Sequence, residues 1–67
     1  MKEKLKNMDR EIKRMREAAE DLRRLAVEAG IPAVIKNTDR VLASLEMLAL
    51  NISDPLALEE RREEDAP

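Results

Sequence analysis

The chain has 67 residues, of which 42% are charged and 43% hydrophobic, with a formal charge of −2. It holds no Cys, no His and no aromatic residue. Within this chain those absences exclude the usual N/S zinc site, haem or iron–sulfur ligation, disulfides, Ser-His-Asp and Cys-His nucleophiles, and aromatic platforms for bases.

A chain this short fits one domain. Below roughly 70–80 residues a single core rarely supplies more than ~3–5 kcal/mol, and small scaffolds usually need a staple. With no disulfide and no metal expected, oligomerisation or a partner protein is the remaining support. No window approaches the ~20 consecutive apolar residues of a membrane span. The start, Met1-Lys2-Glu3-Lys4-Leu5, lacks the apolar run of a secretory signal. The expected location is therefore the cytoplasm.

From Met1 to Ala29 apolar residues recur at Met1, Leu5, Met8, Ile12, Met15, Ala19, Leu22, Ala26 and Ala29. Steps alternating between four and three make the seam of a coiled coil and predict a first helix over about 2–29. Asp9 to Lys13 and Glu20 to Arg24 set an acid four residues before a base, each pair adding only ~0.2–0.5 kcal/mol. Gly30 suits the left-handed position that ends a helix, and Pro32 suits the first turn of the next. Residues 30–32 are thus expected as a tight turn, and loops that short make antiparallel neighbours.

The second helix is expected from Pro32 to Asn51 or Ser53. Its seam is Val34, Thr38, Val41, Leu45, Leu48 and Ile52, with Ile35, Leu42 and Ala49 beside it. Thr38 can return its hydroxyl to a carbonyl of the previous turn, so its burial needs no special role. The hairpin core is expected from Leu22, Leu25, Val34, Val41, Leu45, Leu48 and Ile52. Asp54-Pro55 reads as a fresh N-cap and first turn, and the charged stretch from Glu59 to Asp65 is expected to fray. The organisation is then a hairpin over 1–53 and a short turn with a charged, partly disordered tail over 54–67.

Two features point beyond a lone hairpin. Ala43, Met47 and Leu50 form a second apolar stripe on the second helix, opposite its seam, and a helix apolar nearly all round is buried nearly all round. Together with Met8, Ile12 and Met15 they are the candidate contacts to a second copy or a larger protein. The charge is also polarised. Residues 1–16 carry seven basic and three acidic side chains, and residues 54–67 two basic and six acidic. A hairpin brings these ends together, so mutual neutralisation explains them more simply than nucleic acid does.

The stretch Ala26-Val27-Glu28-Ala29-Gly30-Ile31-Pro32 resembles the first half of a helix-turn-helix. The resemblance implies a small dimeric DNA-binding regulator, using residues 26–42 or the basic start of the first helix. The second helix departs from that pattern, because Lys36 and Asp39 stand where core residues are wanted. The sequence favours an all-α, coiled-coil-like hairpin dimerising into a four-helix bundle. The expected function is that of a non-catalytic oligomerising, adaptor or accessory subunit. No cofactor, metal or catalytic residue is expected.

Overall fold

The computed structural model describes the backbone of residues 1–65 and the side chains of residues 1–59 and Arg61. Two helices make the fold: α1, Lys2–Ala29, and α2, Pro32–Asp65. They pack against each other as a rod with extents of 58 × 15 × 13 Å. The all-helical hairpin expected from the apolar spacing is what forms.

The turn is built by backbone chemistry. Gly30 sits at φ 69°, ψ 45°, the left-handed region. Its N–H donates to the Val27 carbonyl at 3.2 Å, and the Ile31 N–H donates to the Ala26 carbonyl at 3.0 Å. Two carbonyls that the end of α1 would leave bare are satisfied this way. The Ile31 carbonyl in turn accepts from the N–H groups of Val34 and Ile35 at 3.1 and 3.2 Å. Pro32 begins α2, where its missing N–H leaves no bond unmade. The two helices then lie side by side along a thin rod. A helix-turn-helix corner would instead cross at about 90–120°.

One row of each helix lies inside. On α1 it is Leu5, Ile12, Ala19 and Ala26, spaced by seven. On α2 it is Thr38 and Leu45, with Ile52 half-buried one heptad on. Ile12, Ala19 and Leu45 form the core cluster, with Leu42, Ala49 and Ile52 packed against it. Thr38 donates to the carbonyls of Val34 and Ile35 at 2.8 and 2.9 Å. The buried hydroxyl is thereby satisfied, as its position predicts.

Helix α2 does not stop at Ser53. It runs on to Asp65 with Pro55 inside it, so the break and fresh start expected at Asp54-Pro55 are absent. An interior proline removes one hydrogen bond and crowds the preceding turn, at a cost of about 3 kcal/mol. The apolar register offsets this. Leu56 is half-buried and extends the row Ile35, Leu42, Ala49 at the same spacing of seven. Arg23 pairs with Asp39, and Met8 shares a groove with Ile52, so Leu5 falls level with Leu56. The burial of Leu5 depends on α2 reaching that level. Residues 66–67 of the expected tail lie outside the described residues.

The segment Pro32–Glu59 is long and apolar enough, by length and composition, to cross a membrane. The expectation that no window approaches a span is corrected on that point. Lys36, Asp39, Arg40, Glu46, Asp54 and Glu59 interrupt the segment without making it polar on average. The core helix of a helical bundle has the same composition.

Candidate interaction surface

The two flanks of the hairpin are covered differently. On one flank, α1 carries Lys2, Asp9, Arg16 and Arg23, spaced by seven and all half-buried. The stems of Lys2, Arg16 and Arg23 cover apolar surface while their heads stay wet, and the short Asp9 pairs with Lys13. Arg23 marks the flank: its Nε donates to Asp39 Oδ1 at 2.6 Å, and Asp39 lies on the side of α2 that also holds Leu42. The hydrogen bond to Asp39, reinforced by its charge, raises the Arg23 pKa above its usual value. Ile35, Leu42, Ala49 and Leu56 on this flank are half-buried.

The other flank is open. Met8, Met15 and Leu22 of α1 and Val41 and Leu48 of α2 are between 43% and 49% exposed. The spacing within each set is again seven. At 100° per residue, both sets turn toward the same side of the rod. Near its free end this flank becomes a groove of about 400 Å³ lined by Asn7, Met8, Glu11, Ile12, Met15, Leu48, Asn51 and Ile52. Its walls are apolar side chains, and its rim carries two amides and one carboxylate.

The residues singled out from sequence separate onto two surfaces and the interior. Met8 and Met15 lie on the open flank, about half exposed. Ile12 does not: it is buried inside the hairpin and only floors the groove. Met47 and Leu50 are more than half exposed, and Ala43 is exposed with them. Met47 lies two residues, or 200°, from the inward-facing Leu45, so this stripe sits on the outer face of α2. It is a surface separate from the open flank.

The expected core also needs correction. Leu45 is buried, and Val34 and Ile52 are half-buried. Leu22, Leu25, Val41 and Leu48 are exposed. The reason is geometric, since two helices in contact bury only one row each, and these four lie to one side of it. The pattern that sequence reasoning passed over is the charged row at 2, 9, 16 and 23, which was legible from its spacing.

Beside the Arg23–Asp39 pair between the helices, other ion pairs are local and exposed. Lys13 meets Asp9 at 3.0 Å, as expected. Arg24 pairs with Glu28 at 3.3 Å and Asp21 at 3.8 Å rather than with Glu20. Such pairs contribute little to stability. Among the described residues, no group of three or more acidic side chains is placed to hold a metal ion. Comparison with protein-family models, curated proteins and solved structures finds no match to this chain.

Proposed function

We propose that this chain is a non-catalytic oligomerising subunit that works through helix–helix contact. Its first contact is with a second copy, and two hairpins together form a four-helix bundle. The supporting observation is the open flank, where Met8, Met15, Leu22, Val41 and Leu48 stay exposed at heptad spacing. Seam residues at that spacing pack into the holes of a facing helix. A two-layer bundle would cover them, and it would supply the core that a chain this short lacks. Methionine suits the site because its flexible, polarisable side chain fills irregular gaps.

The outer stripe of Ala43, Met47 and Leu50 stays outside such a bundle. It is the surface through which the dimer, acting as an adaptor, meets a different protein as a helix in a groove. On this reading the apolar composition of α2 reflects burial on two sides, in water.

Light scattering of the whole chain at micromolar concentration, with and without vesicles of neutral and anionic lipid, tests the proposal. The expected result is a dimer of about twice the 7.7 kDa chain mass, unchanged by vesicles. A monomer overturns it. So does a chain that floats with the vesicles, which would assign the apolar side of α2 to a bilayer.

A further inference from the structure

The open flank also constrains how two copies face each other. We infer that the second copy lies with its Gly30 turn at the same end of the bundle, related by a two-fold axis along the rod. This rests on the dimer reading above and specifies its geometry. Two hairpins can join open flanks in two ways. With the axis along the rod, α1 lies on the partner's α2 and both turns share one end. With the axis across the rod, α1 lies on the partner's α1 and the turns point apart.

Three observations bear on the choice: the size of the face permits either, and charge and register favour the first. The rod is 58 Å long and 15 Å wide, an envelope of roughly 900 Å² per side, which leaves room for a contact near the ~800 Å² per partner of a stable complex. The second observation is charge. Residues 1–16 carry a net +4 and residues 54–67 a net −4. Only the first arrangement sets the basic start of α1, with Lys2, Lys4 and Lys6, level with Asp54 and Glu59 of the second copy as well as its own. The second sets it beside the rest of α1, residues 17–29, which carry two basic and four acidic groups. It leaves the acidic end of α2 level with residues 32–38 and the space beyond the turn, where Lys36 is the one charged residue.

The third is register. A rotation about the rod axis moves nothing along it, so residues level within one hairpin stay level across the interface. Glu11 and Asn51 already line one groove. Each would meet the partner's copy of the other, an amide donor against a carboxylate acceptor. Ala18 would meet Ser44 of the second copy, two small residues that allow close approach midway along the seam. The crosswise arrangement, centred on Met15, instead sets Glu11 against Ala18 and Lys4 against Leu25.

The chain has no Cys, so one introduced thiol labels one place. Ala33→Cys, at an exposed site beside the turn, carries a nitroxide outside the proposed contact. The distance between the two labels in the full-length dimer is then read by pulsed electron spin resonance. Turns at one end predict a separation under roughly 25 Å, given interaxial distances of ~8–10 Å. Turns at opposite ends predict roughly 45 Å, at ~1.5 Å rise per residue. A dimer with the long distance overturns this inference and leaves the dimer standing. A labelled chain that light scattering finds monomeric, like the unlabelled chain, overturns both.

Discussion

The two flanks of the hairpin begin from the same heptad pattern and end differently. Both lie beside the buried row, and both carry aliphatic residues of α2. On the closed flank α1 supplies Lys2, Asp9, Arg16 and Arg23, and the aliphatic row Ile35, Leu42, Ala49, Leu56 is half-buried. On the open flank α1 supplies Met8, Met15 and Leu22, and Val41 and Leu48 stand exposed. A charged side chain with a long stem finishes a surface, because its head prefers water to a second protein layer. A methionine or leucine in the same place leaves the surface ready for one. In the proposed dimer, the side that meets a second copy is therefore set by what α1 contributes, since α2 is apolar on both flanks.

Substitutions that act on one region and spare the other sharpen this comparison. The largest effect is expected at Leu45, which lies between the flanks and packs with Ile12 and Ala19. Leu45→Ala should cost about 2–4 kcal/mol through lost burial and the cavity left behind. For so small a core that is most of the net stability, so thermal denaturation by circular dichroism should show the cooperative transition lost. A melt unchanged within a few degrees would mean that Leu45 is not the centre of the hairpin. Gly30→Ala should cost less, about 1–2 kcal/mol. No atom lies within 4 Å of where the new Cβ would sit, so the cost comes from the left-handed backbone alone. The melting temperature should fall while the oligomeric state at low temperature stays the same. A change of stoichiometry would mean that the turn takes part in association.

Much of the fold was legible in the sequence. The steps of four and three defined both helices, and Gly30 with Pro32 fixed the turn, because one requires a positive φ and the other a first-turn position. The end of α2 was not legible from local signals. Asp54-Pro55 is a sound helix start in isolation, but a row continuing through Leu56, with Leu5 opposite it, outweighs a proline that removes one hydrogen bond. Among the candidate contacts, Met8 and Met15 are exposed, and Ile12 is buried. A seam with two apolar rows does not say which row turns inward. The answer lay in the polar residues between them, where the charged row of α1 marks the flank that is already finished.

The central claim is that the open flank, and not the outer stripe of α2, holds the second copy. Equilibrium sedimentation of Met15→Glu and Met47→Glu, side by side with the unaltered chain, tests it most directly. A carboxylate at residue 15 would be buried unpaired in the bundle, whereas at residue 47 it would stay in water. Met15→Glu should weaken dimerisation at least ~100-fold, equivalent to about 2.7 kcal/mol. Met47→Glu should dimerise as the unaltered chain does. The opposite pattern, a monomeric Met47→Glu beside a dimeric Met15→Glu, would contradict the account and move the interface to the outer face of α2.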